Sequence, residues 1–267
     1  MSAVAESMLS KVVRGSHRGR ARKTLVAAAG GEGKSTFASQ FPNPIFLDTE
    51  HGLGDIDCAS IKIETFDEAQ QALAELYKAD HDFGTVVIDT VDWLERMIQS
   101  QVCSDNGVDS VEEIKWAKGH GYALKYWSEI LSCLGYLRRE KHMDIVLLSH
   151  VTMEKVSEPT LETFTRWSPK LHRTATELII EWCDEVFYGT SEVHVIQDDE
   201  GFDRKRNRAI GGSSRVLHTV GRPGWRAKHR MDGLPDKIKM EFADYAQYRE
   251  WPDSNSKAKK TANKKEK

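Results

Sequence analysis

Ala28-Ala-Gly-Gly-Glu-Gly-Lys-Ser35 joins an apolar run, Thr24 to Ala28, to a helical-looking segment, Thr36-Phe-Ala-Ser-Gln-Phe41. In a strand, loop, helix unit, glycines let successive backbone N–H groups turn inward on a polyphosphate, and the following helix adds the positive end of its dipole. The spacing fits G-x-x-x-x-G-K-[ST], which expects Lys34 to reach the β- and γ-phosphates of ATP and Ser35 to ligate Mg²⁺. Gly30, Gly31, Glu32, Gly33 and Thr36 complete the expected cradle. Two residues depart from the pattern. Ala28 stands at its first glycine position, and Glu32 brings a carboxylate to a loop meant for anions, so its side chain is expected to point outward.

Downstream, short apolar runs alternate with segments of helical spacing. Ile45-Phe-Leu-Asp48, Thr85-Val-Val-Ile-Asp89 and Asp144 to Ser149 read as buried parallel strands, and 67–79, 91–102 and 122–140 as helices. This alternation predicts an α/β fold, a mostly parallel sheet with helices on both faces. Residues 104–121 are polar and glycine-spotted, a loop or lid, and 151–172 reads as a second long irregular segment. Then 174–182 is helical and 184–188 a strand, and alternation around Val193, Val195, Val216, Leu217 and Val220 predicts antiparallel ribbons toward the C-terminus. The expected organisation is a basic arm over 1–22, one domain over 23–252 and a lysine-rich disordered tail over 253–267.

The 267 residues, 39% hydrophobic, suffice for one full α/β core. A net charge of -3 conceals clusters of Arg and Lys at the N-terminus, between Arg204 and Arg230, and at the C-terminus, so a basic face is compatible with a near-neutral chain. Cys58, Cys103, Cys133 and Cys183 form no C-x-x-C pair and read as reduced, mostly buried thiols rather than zinc ligands. No apolar stretch approaches the roughly 18 residues of a membrane helix, and no secretory apolar region opens the chain. The expectation is a soluble cytoplasmic protein without a membrane partner.

Ligands of open parallel sheets sit at the carboxyl ends of the strands. Asp89 ends the third run, placed like a Walker B aspartate that holds Mg²⁺, with helix N-capping as its alternative role. The second run offers Asp48 and Glu50 near the γ-phosphate, and Glu50 is the expected general base. The fourth run ends in His150, a sensor candidate coupling nucleotide state to the segment behind it.

Phe46-Leu-Asp-Thr-Glu-His-Gly-Leu53 resembles the strand-plus-acid motif of RecA and RadA recombinases. The order of phosphate loop, acidic strand end, Walker B and polar sensor strand is that of the RecA-like P-loop ATPase core. Phe37-Ala-Ser-Gln-Phe-Pro42, Gly119-His-Gly-Tyr122 and Leu147-Leu-Ser-His150 look most like phage RecA-like single-strand annealing proteins. The resemblance implies a DNA-stimulated ATPase using ATP and Mg²⁺, with single-stranded DNA as partner in phage recombination. It further implies a homo-oligomer in the cytoplasm of an infected bacterium, with a single-strand binding protein as a further partner. On this resemblance 104–121 and 151–172 occupy the places of two DNA-binding loops. Trp167 and Phe164 can stack on bases there, with Lys155, Arg166 and Lys170 on phosphates; Glu154, Glu158 and Glu162 oppose that contact, and a lid or a subunit contact is the alternative. Lys228 and Arg230, in Arg226-Ala-Lys-His-Arg230, are the candidates for completing a neighbouring subunit's nucleotide site, and a solvated basic ribbon is the alternative. Two other functions stay open, a nucleotide-switched DNA-binding or annealing protein with negligible turnover and a P-loop kinase.

Overall fold

The computed structural model describes residues 19–158, 161–199 and 205–249. The expected tail and most of the expected N-terminal arm therefore lie outside the described residues. Ten strands and six helices follow in the order β1 (Lys23–Ala28), α1 (Lys34–Ser39), β2 (Pro44–Asp48), β3 (Ala59–Lys62), α2 (Phe66–Lys78), β4 (Thr85–Asp89), α3 (Val91–Asn106), α4 (Gly119–Glu140), β5 (Asp144–Ser149), β6 (Val151–Glu158), β7 (Leu161–Pro169), α5 (Arg173–Trp182), β8 (Glu185–Asp199), β9 (Lys205–His218), β10 (Lys237–Lys239) and α6 (Phe242–Ala246).

Eight strands form one sheet in the order β10-β9-β8-β1-β5-β4-β2-β3. From β8 to β3 neighbouring strands run parallel, and β9 and β10 add antiparallel. The central strands are buried along their length because both faces are covered. Leu25, Ile88, Leu147 and Val186 pack under α2, α3, α4 and α5, while Val26, Phe46, Val87 and Phe187 pack against α1 and α6. The mostly parallel sheet, helices on both faces and C-terminal antiparallel strands are the α/β architecture that the sequence predicts.

Local chemistry sets several boundaries. Thr65 and Glu68 form a reciprocal capping box at the start of α2, and Gly107, at φ 62°, ends α3. Arg22 Nη1, Thr24 Oγ1 and the Tyr245 hydroxyl all donate to the fully buried Glu185 carboxylate, at 2.7, 3.0 and 2.7 Å. Strands β1 and β8 and helix α6 are thereby tied together at the end of the sheet remote from the glycine-rich loop.

Two expectations are corrected, and one strand goes unread in the sequence. Helix α3 runs on to Asn106 and α4 begins at Gly119, so the loop shrinks to 107–118 and contains two short 3₁₀ turns. The segment 151–172 is a hairpin, β6 on β7, in place of an irregular loop. Strand β3 is exposed at every position and so lacks the apolar signature that marks its neighbours. Of the cysteines, Cys183 is buried and the other three are only partly so; all are free thiols. Among the described residues no helix is long and apolar enough to cross a membrane.

Candidate nucleotide site

Strands β1, β5, β4 and β2 are adjacent and parallel, so their carboxyl ends deliver the glycine-rich loop, His150, Asp89 and Glu50 to one edge. A cavity of about 330 Å³ opens there, lined by Lys34, Ser35, Glu50, Asp89, His150 and Arg215, with Gly30, Gly31, Gly33 and Thr36 on the loop side. That size suits a small-molecule ligand.

The loop geometry needs its glycines. Gly31 and Gly33 sit at φ 78° and 87°, the left-handed region that side chains disfavour. Phe37 N–H donates to the Gly33 carbonyl, so the N–H groups of Lys34, Ser35 and Thr36 have no carbonyl of α1 to bond. Glu32 is not part of the cavity wall. Its Oε2 accepts from Ser191 Oγ at 2.7 Å, the outward orientation the sequence reading anticipates, so any role in the cradle falls to its backbone.

Lys34 is buried, its Nζ donating to the carbonyls of Ala28 and Ala29 at 3.2 and 3.0 Å. Burial lowers its pKa below the usual lysine value, against the attraction of Asp89, Glu50, Asp92 and Glu32. Ser35 Oγ donates to Asp89 Oδ2 at 2.5 Å. Asp89 is pushed up to about 6 by burial, with Glu50 and Asp48 adding repulsion and the Ser35 bond and Lys34 opposing. It does not cap α3, whose N-cap is Thr90. A hydroxyl and a carboxylate side by side, facing a lysine across glycines with positive φ, fit a hard divalent cation carried by a polyphosphate.

The backbone N–H groups of Thr49 and Glu50 donate to the Asp89 carbonyl, and Thr49 Oγ1 donates to the Thr90 carbonyl, locking the ends of β2 and β4 together. Glu50 Oε2 accepts from Thr90 Oγ1 at 3.4 Å, and Oε1 lies 3.8 Å from His150 Nε2. Asp48 is buried, accepts the Gly52 N–H and stays out of the cavity wall, which leaves Glu50 as the carboxylate in position.

Two contributors escape sequence reading. Asp92, in the first turn of α3, accepts the His150 backbone N–H at 2.9 Å and faces its Nδ1 at 3.0 Å. Burial raises the Asp92 carboxyl, but the bonds from His150 outweigh it and hold it below the usual range. With Nδ1 turned to Asp92, His150 presents Nε2 to Glu50. Arg215, opposite Ser191 across β8 and β9, lays its guanidinium over the glycine-rich loop, with Nη1 only 2.7 Å from where a Cβ on Gly33 would stand. The sequence shows Arg215 as one arginine in a basic stretch; only the register of β9 aims it.

Lys228 and Arg230 are not brought to this cavity within the chain. Lys228 pairs its backbone with Val186, near the start of β8, and Arg230 lies 4.0 Å from Asp184, both toward the opposite end of the sheet.

The hairpin β6–β7 leaves directly from His150, and its base closes where Lys170 N–H donates to the His150 carbonyl. Trp167 lies near-parallel to Tyr188, at 6.4 Å, while bonding through its backbone to Gly224 and Arg226. Arg166, expected on phosphates, instead donates to Glu154, which also binds Arg226. His120, at the start of α4, stacks on His172 at 3.7 Å, so the 107–118 loop and the hairpin base meet. Trp116 in that loop is 86% exposed.

Among solved structures, the crystal structure of the RadB recombinase is similar at 13% identity, over 82% of this chain and 86% of that one, with a TM-score of 0.45. No curated protein matches. The family model described as AAA domain matches residues 20–231, from just before β1 to beyond β9 and so across every residue of the cavity wall; the chain belongs to that AAA domain family.

Proposed function

We propose that this chain binds ATP with Mg²⁺, hydrolyses it, and acts as a homo-oligomer on single-stranded DNA in phage recombination or strand annealing. The convergence of Lys34, Ser35, Asp89, Glu50 and His150 on one cavity carries the hydrolytic half. Magnesium, when bound, neutralises charge on the phosphoryl oxygens. Ser35 and Asp89 would hold it, Lys34 and Arg215 would supply positive charge to the phosphates, and Glu50 would take the proton of the attacking water. His150, oriented by Asp92, stands behind Glu50 and connects the site to the hairpin. Lys228 and Arg230 retain one role, as cations reaching the site of an adjacent subunit.

Exposed Trp116 and Trp167, on the loop and hairpin next to this edge, support the single-strand half, since unpaired bases stack on aromatic side chains. The phage setting, the bacterial cytoplasm and a single-strand binding protein as partner follow from the sequence resemblance alone. A switch with negligible turnover is the second reading, favoured by the Thr90 hydroxyl engaging Glu50.

Phosphate release measured with and without single-stranded DNA tests the proposal. Glu50→Gln is expected to slow turnover by about 100-fold or more while fluorescent ATP analogue still binds within a few-fold of the parent. Parent-like turnover in that variant removes Glu50 as the base, and a parent that binds nucleotide without releasing phosphate selects the switch.

A further inference from the structure

At the end of the sheet remote from the nucleotide site, a cavity of about 380 Å³ is lined by Arg20, Arg138, Arg139 and His142, with no carboxylate in its wall. Arg138 is fixed there, Nε donating to the Ala21 carbonyl at 2.7 Å and Nη2 lying 3.6 Å from Asp184. Arg139 packs its guanidinium 4.8 Å from the centre of the Tyr136 ring and also lines a second cavity of about 330 Å³ beside Tyr136 and Trp182. Arg230, 62% exposed, flanks the same cluster. On a chain of net charge -3 this is a strong local excess of cations, and it runs directly into aromatic side chains. Asp184 pairs with Arg138 and Arg230 as Glu154 pairs with Arg166 on the hairpin β6–β7, but the wall that Arg20 and Arg139 share carries no carboxylate.

We infer that this groove is a second polynucleotide site, in which Arg20, Arg138 and Arg139 hold the phosphodiester backbone of a single strand while the exposed Tyr136 receives a base. A cationic track beside aromatic faces is the chemistry that binds unpaired strands without sequence preference. Guanidinium suits phosphate through its planar fork of donors, and Arg138 and Arg139 are already held in place by the protein. The inference rests on the single-strand half of the proposed function and places part of that contact far from the hairpin.

The test uses a fluorescein-labelled thirty-nucleotide oligo-dT, read by anisotropy over a range of salt. The full chain is compared with Arg20→Glu/Arg139→Glu, with Tyr136→Ala and with Trp167→Ala on the hairpin. The double charge reversal is expected to weaken binding by about tenfold or more and to flatten the log–log salt slope by about 1.4, two single-strand phosphates' worth. Tyr136→Ala should weaken binding at unchanged slope, and ATP analogue affinity should hold in both. Loss of oligonucleotide binding in Trp167→Ala, with the groove variants matching the parent, overturns the second site and leaves the proposed function standing. A parent that binds nucleotide but no oligonucleotide overturns both. Complete displacement of the oligonucleotide by millimolar inorganic phosphate at constant ionic strength assigns the cavity to a small anion and also overturns the inference.

Discussion

Ser35 Oγ donates to Asp89 Oδ2 at 2.5 Å, bridging the first turn of α1 and the last residue of β4. One bond thus joins the two side chains that the sequence marks as metal ligands, and it stabilises the charge on a carboxylate that burial disfavours.

The first prediction concerns pH. The Asp89 carboxyl is raised to about 6, above the ordinary value of about 4, so the native state keeps a proton there that the unfolded chain has already lost. The Asp89 contribution to native stability is then most favourable below about pH 4, falls as pH rises to about 6, and stays lowered above it, by roughly 3 kcal/mol. Asp89→Asn is expected to recover much of that at pH 8 and none at pH 4 when nucleotide-free protein is unfolded with urea. The same variant should lose Mg²⁺-dependent nucleotide affinity. Equal stability of parent and variant at pH 8 would show that the carboxylate carries no such penalty.

Arg215 is the second. A charge-assisted bond to a phosphate is worth about 1.5–3 kcal/mol, so Arg215→Ala is expected to weaken ATP analogue binding about 10- to 100-fold, with Arg215→Lys in between. Gly33→Ala should be as damaging for two reasons: a Cβ meets Nη1 at 2.7 Å, and φ is 87°. Combining it with Arg215→Ala should not restore binding, because the backbone strain persists. Unchanged affinity in Arg215→Ala would take the guanidinium out of the site.

What the sequence makes legible follows from which signals are local. The glycine-rich loop and the apolar runs ending in Asp48, Asp89 and Ser149 place the parallel core because each is a short contiguous pattern. Asp92 and Arg215 are invisible by the same logic. Asp92 reads as an ordinary first-turn acid of α3, and Arg215 acquires its place only through the pairing of β9 with β8. The hairpin is missed because its polar, threonine-rich strands lie outside the main sheet and bury little apolar surface. Conversely, Lys228 and Arg230 attract attention through charge density, and the backbone bridge of Lys228 to Val186 holds them away from this chain's own cavity.

The third prediction is structural. Glu185 is fully buried and accepts from Arg22, Thr24 and Tyr245, so its removal strands several buried donors. Glu185→Ala is expected to cost roughly 3–5 kcal/mol in urea unfolding, and Tyr245→Phe about 1–2 kcal/mol. Losses below about 1 kcal/mol for Glu185→Ala would mean that this network contributes specificity without stability.

The last prediction separates positioning from binding. Asp92 is not part of the cavity wall, yet it uses one oxygen on the His150 backbone and the other on Nδ1. An asparagine can keep the backbone bond but presents an N–H to Nδ1, which forces the ring proton onto Nε2, the nitrogen facing Glu50. Asp92→Asn is therefore expected to lower kcat about 10- to 100-fold and to shift the pH profile of turnover, with nucleotide affinity unchanged. The Asp92 carboxyl is held below its ordinary value, so its contribution to stability is present above about pH 4 and is lost as pH falls through the folded value. At pH 8 the variant should accordingly be less stable than the parent, and the difference should close in acid. A kcat loss accompanied by an equal loss of nucleotide affinity would mean that Asp92 shapes the pocket, whereas an unmoved pH profile would mean that the His150 tautomer does not act on Glu50.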